Sequence, residues 1–151
     1  MASCVAVLSS VNHPLFVRSA TPARLLADQY ALHTSLDVVE EKTAPATAAA
    51  GSASGSAAAR KAGEPTRELY LGSLFSTEKQ KVFGYVTNTR IKFIVIVDAS
   101  NTALRDNEIR QMFRKLHTAY TQLMSNPFYV PGDEIKSTNF EKVVQGLMVK
   151  A

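Results

Sequence analysis

Apolar and polar positions divide the chain into two regularly patterned blocks, separated by a stretch that has no pattern. In the first block, Cys4 to Leu8 is a short apolar run, Val11-Asn-His-Pro14 has turn chemistry, and Leu15 to Arg18 is a second short run. Together they predict a β-hairpin. Thr21-Pro22 then places a capping hydroxyl before a proline at a first helical position. Leu25, Leu32, Leu36 and Val39 follow at spacings of seven, four and three, which predicts one amphipathic helix of about five turns.

The second block opens with three strand-like runs, Leu69 to Phe75, Lys81 to Thr87 and Ile91 to Asp98, the last two joined by a hairpin-length loop at Asn88-Thr89-Arg90. Phe93-Ile-Val-Ile-Val97 is β-branched or apolar at every position, the mark of a central strand covered above and below. Helices are therefore expected on both faces of the sheet. Ile109, Met112, Phe113, Leu116, Tyr120 and Leu123 form the strongest helical stripe in the chain. Asn126-Pro127 ends that helix, because the residue before a proline is pushed out of the α region. Pro131-Gly132-Asp133 makes a further turn, and Phe140, Val143, Val144, Leu147 and Met148 predict a short last helix. The order is ββαβββαα, an α+β fold.

Between the blocks, Ala44 to Ala62 contains 10 alanines in 19 residues, and most of the rest are Gly, Ser, Thr or Pro. Such a stretch has nothing large to bury and cannot offset its ordering entropy, so residues 44–65 are expected to be a flexible insertion within a single domain spanning 1–151. The GSASGS inside it lacks the Gly-Lys-Ser/Thr ending of a phosphate loop.

Composition narrows the class. A chain of 151 residues, 46% hydrophobic and 20% charged, is one domain of globular character. No uninterrupted apolar run is longer than the five residues Phe93 to Val97, far short of a bilayer span. The N-terminus lacks the basic region and long apolar stretch of a signal peptide, and one cysteine forms no internal disulfide, so a reducing cytoplasmic compartment is expected. Cys4 itself falls in a run expected to be core. The excess of 17 basic over 13 acidic groups lies in residues 66–151, with twelve basic and eight acidic side chains interleaved. That is a mild bias toward acidic partners or anionic membranes and not a nucleic-acid footprint.

Catalytic chemistry finds little support. His13, His33 and His117 are far apart and lack metal-ligand spacing, and there is no G-x-S-x-G elbow. Neither a cofactor nor a small-molecule substrate is expected. Tyr70, Phe83, Tyr85 and Phe93 only faintly echo the aromatic platform of an RNA-binding sheet and are expected to pack in the core. Two helix faces are better candidates, both for protein contact. On the first helix, Leu26, Tyr30, His33 and Asp37 form a stripe adjacent to the core stripe. Asp37, Glu40 and Glu41 there oppose the helix dipole, which hints at an external use. On the long helix, Arg110, Arg114, His117 and Thr121 form a basic face. Phe128 and Tyr129 of Asn126-Pro127-Phe128-Tyr129 are expected to anchor the loop between the last two helices.

HTSLDVVEEK (33–42), RELYLGSLF (67–75), GYVTN (84–88), the stretch from Val97 to Asp133 and the following Ile135 resemble the sedlin family of trafficking protein particle (TRAPP) subunits. The resemblance implies a longin-like fold: a five-stranded antiparallel sheet with one helix on one face and two on the other. It also implies a non-catalytic adaptor that assembles with other TRAPP subunits at ER–Golgi and Golgi membranes, in a complex promoting nucleotide exchange on a Rab-type GTPase. The family's aspartate in the first of these segments matches Asp37, and its NPFY loop matches residues 126–129. The alternative is a free longin-type regulatory domain that binds a SNARE segment or a small GTPase. Deletion of residues 44–62 is expected to leave the melting temperature of the purified protein nearly unchanged, whereas a large fall would contradict the linker reading.

Overall fold

A computed structural model describes residues 2–43, 70–100 and 104–149. The proposed insertion at 44–65 and Leu69 lie outside the described residues. The elements are β1 (Ala2–Leu8), β2 (Pro14–Ser19), a 3₁₀ turn (Pro22–Arg24), α1 (Leu25–Thr43), β3 (Tyr70–Ser76), β4 (Gln80–Val86), β5 (Lys92–Asp98), α2 (Asp106–Met124) and α3 (Thr138–Val149). This is the expected order ββαβββαα.

The strands form one sheet in the order β2-β1-β5-β4-β3, with every neighbouring pair antiparallel. β5 is central, and its alternating side chains sort the core into two layers. Phe93, Val95 and Val97 join Val5, Val7 and Tyr85 beneath α2 and α3. Ile94 and Ile96 join Cys4, Ala6, Leu8 and Val82 beneath α1. The sheet thus carries one helix on one face and two on the other, the longin-like arrangement. Burying each of these five β5 side chains is worth about 1.5–3 kcal/mol. The aromatic residues in question do pack inward: Tyr85 stacks on Phe113 with ring centroids 5.6 Å apart, and Phe93 meets Tyr120 edge-on at 5.6 Å.

Two features of α1 depart from the sequence reading. Thr21 makes no side-chain capping bond; its carbonyl instead accepts from the Arg24 N–H at 2.9 Å, and the 3₁₀ turn leads into the helix. Leu25, expected in the core stripe, is 39% exposed, and the buried face runs through Asp28, Ala31, Leu32, Ser35, Leu36 and Val39. Polar residues complete this face because their hydrogen bonds are met locally. The Ser35 hydroxyl donates to the Leu32 carbonyl at 2.7 Å. Buried Asp28 accepts from the Ser19 hydroxyl at 2.6 Å and from the Gln80 amide at 3.0 Å, joining α1 to β2 and β4.

Asp28→Ala removes the acceptor that satisfies two side chains. It is expected to lower unfolding free energy by about 1–3 kcal/mol, measured by urea denaturation.

Candidate functional site

The helix α1 turns a second, unburied line of side chains outward. Leu26, Tyr30, His33 and Asp37 recur at spacings of four, three and four, which keeps them on one face of a helix. Leu26 is 79% exposed and Tyr30 76%, and His33 and Asp37 are exposed as well. The sequence placed this stripe beside the core stripe. With Asp28, Ala31 and Ser35 buried, the core line is rotated, and the same residues occupy the side of α1 that faces away from the sheet. Two large apolar side chains in water followed by an imidazole and a carboxylate make a mixed surface suited to a protein partner.

Glu40 has an internal role. Asn12, at the tip of the β1–β2 loop with a positive φ of 63°, donates from its amide to Glu40 Oε1 at 2.6 Å and accepts from Lys92 Nζ through its amide oxygen. Lys92 Nζ lies 3.9 Å from Glu40 itself. The carboxylate that the helix dipole disfavours is thus matched by a buried ammonium on β5, which accounts for its place near the helix end. Burial holds the Lys92 ammonium below the ordinary lysine range, opposed by the charge of Glu40. The bridge also fixes the hairpin loop, with exposed Val11 at its tip, against the C-terminal part of α1.

The basic face expected on α2 is divided in the structure. Arg110 is drawn to the sheet: its guanidinium lies 4.6 Å from the Tyr70 ring centroid, and its Nε donates to Asp106 Oδ2 at 2.9 Å. The Tyr70 hydroxyl donates to the other Asp106 oxygen at 2.6 Å. These bonds, that from Tyr70 first and that from Arg110 second, hold the Asp106 carboxyl below its usual range. His117 is half-buried against the Tyr85 and Phe93 rings, and its carbonyl accepts from the Thr121 hydroxyl. Arg114 is exposed and lines a shallow groove of about 400 Å³ with Lys115, Thr118, Ala119 and Gln122 of α2 and Val143 of α3. Helical spacing grouped the four residues, but Tyr70 on the edge strand claims Arg110, and Tyr85 and Phe93 on the inner strands β4 and β5 claim His117.

The loop at 126–129 separates its two aromatic residues. Tyr129 is half-buried, packs against the core beneath α2 and α3, and donates its hydroxyl to the Asp133 carbonyl at 2.8 Å, which ties the loop to the core. Phe128 does not; it is 92% exposed. The Asn126 side chain accepts from the Phe128 N–H at 3.1 Å, closing a tight turn in which consecutive residues point opposite ways. Asn126 and Pro127 are exposed within that turn.

Elsewhere, the Cys4 thiol is buried and its pKa is pushed up to about 12 by desolvation, with the charge of Asp28 adding to the effect. It behaves as a small apolar core group. His13 and His33 are exposed, and among the described residues no three ligand-type side chains gather as a metal site would require. A second hollow of about 270 Å³, between the N-terminal strand and the turn before α1, contains the Arg24–Asp98 ion pair at 2.9 Å. Among the described residues no helix is long and apolar enough to cross a membrane.

The structure is a small α+β domain with a doubly covered sheet and exposed apolar residues on an outer helix face. The comparisons place it more narrowly. The sedlin family model matches residues 7–150, and the chain belongs to the sedlin family. It is similar to the trafficking protein particle complex subunit 2-like proteins of Xenopus tropicalis, 52% identical over 151 residues covering 100% of this chain and 99% of that protein, and of Rattus norvegicus, 52% identical over 150 residues covering 99% of each. The likeness extends to the Dictyostelium discoideum protein of the same name, 35% identical over 150 residues covering 96% of this chain and 94% of that protein.

The lowered pKa of Lys92 has a signed consequence. Between its folded value and the ordinary value near 10.4 the unfolded chain binds more protons than the folded one, so stability gains a component that rises with pH through that window. Lys92→Met should abolish this alkaline rise in denaturation curves and, by leaving the Asn12 amide oxygen without its donor, lower stability at neutral pH by about 1–3 kcal/mol.

Proposed function

We propose that this protein is a subunit of a trafficking protein particle complex, acting as a non-catalytic adaptor whose outer helix face binds neighbouring subunits. The observation that carries the proposal is the unburied stripe of α1, where Leu26 and Tyr30 stand in water in line with His33 and Asp37. An isolated domain gains nothing from exposing these two side chains on a helix whose other face already buries Leu32, Leu36 and Val39. Membership of the sedlin family and the names of the relatives supply the kind of partner. In this reading the chain works on the cytoplasmic side of ER–Golgi and Golgi membranes and supports assembly of an exchange factor for a Rab-type GTPase. Its contacts with the GTPase and the membrane are indirect.

The mechanism is rigid presentation. The sheet clamps α1 through Asp28 near its start and Glu40 near its end, so the outer stripe of the helix reaches a partner with little ordering cost. Arg114, exposed on the opposite side of the sheet, offers a second contact with separate chemistry.

Tyr30→Ala and Asp37→Tyr alter exposed groups. Each is expected to weaken co-elution of the tagged chain with other complex subunits by at least about tenfold, while its melting temperature stays within about 2 °C of the parent. Normal assembly by both variants, or their unfolding, would remove α1 as the contact.

A further inference from the structure

Phe128 has no role in the fold, yet the loop that carries it is built to hold it still. The Tyr129 N–H donates to the Asn126 carbonyl at 3.2 Å, and the Asp133 N–H donates to the Val130 carbonyl at 3.2 Å. Pro127 and Pro131 restrict the backbone, and Gly132 takes the positive φ of 98° that the second turn needs. Tyr129 pins the loop from below through its ring and its bond to Asp133. The Ile135 N–H donates to the Leu15 carbonyl at 2.9 Å, tying the end of the loop to β2. In this rigid frame the ring with a hydroxyl is packed inward and the purely apolar ring is 92% exposed, with Val130 two residues on at 60%. Solvation alone would favour the reverse.

We infer that Phe128 is a preformed anchor that inserts into an apolar pocket with a basic rim on a partner protein subunit. The chemistry of the occupant follows from shape and charge. A single projecting ring on a convex loop needs a concave, apolar receiver, and rigid aromatic side chains dominate binding energy in such pockets because little freedom is lost on docking. The same loop carries Asp133 and Glu134, both exposed, with its one cation Lys136 lying 3.8 Å from Glu134, so the loop stays net acidic through Asp133 in a chain whose net charge is +4. These carboxylates match Lys or Arg around the pocket and oppose insertion into an anionic lipid surface. The inference rests on the proposed assembly role but concerns a surface separate from α1.

The test replaces Phe128 with the photo-crosslinker p-benzoylphenylalanine in the full chain, within the purified native complex. Crosslinked peptides are identified by mass spectrometry, with and without vesicles containing phosphatidylserine. The expected result is one dominant crosslink to another subunit, at a site whose neighbouring residues are apolar with Lys or Arg beside them. Phe128→Ala should then weaken association with that subunit by at least about tenfold, with a melting temperature within about 2 °C of the parent. Crosslinking to lipid, to a second copy of this chain, or to nothing while the chain still co-elutes with the complex would overturn the inference and leave the proposed function standing. Failure of the unmodified chain to join the complex would overturn both.

Discussion

β5 is buried on both of its faces, and most of the structure follows from that constraint. A strand reading Phe93-Ile-Val-Ile-Val97 has no polar side to turn to water, so the sheet needs a layer of helix above and another below. The long helix α2 and the short α3 cover Phe93, Val95 and Val97; α1 covers Ile94 and Ile96. With both sheet faces occupied, the described residues leave no broad concave floor to line with chemistry. What remains for recognition is the outer side of the helices and the tips of the loops.

Those surfaces are held firmly by polar contacts at the margins of the two cores. Asp28 ties the start of α1 to β2 and β4, and the Lys92–Asn12–Glu40 bridge ties its end to β5 and the hairpin loop. On the opposite face, Tyr70, Asp106 and Arg110 lock the start of α2 to the edge strand. Each cluster joins elements distant in sequence and spends its charges inside the molecule. On α1, the outward-facing Leu26, Tyr30, His33 and Asp37 have no such structural use among the described residues.

Much of this was legible in the sequence where apolar side chains decide the matter. The central strand, the α2 stripe from Ile109 to Leu123, and the need for helices on both faces all follow from periodicity, while the division into one helix and two was implied by the family resemblance. Reading was weaker for α1, because its buried face includes Asp28, Ala31 and Ser35 while Leu25 and Leu26 lie outside. A hydrophobic pattern cannot register a buried carboxylate whose partners, Ser19 and Gln80, sit on two other elements. The same limit hid the internal roles of Glu40 and Arg110. It also paired Phe128 with Tyr129 as anchors, since adjacent aromatic residues look alike until the turn that separates them is seen.

The central claim is that the outer face of α1 is covered in the assembled protein. Hydroxyl-radical footprinting of the chain alone and within its purified complex measures this side chain by side chain. The account predicts that Tyr30 and Leu26 react readily in the isolated chain and lose most of that reactivity in the complex, while buried Phe93 and Tyr120 react slowly in both. Equal reactivity of Tyr30 and Leu26 in the two states would contradict it.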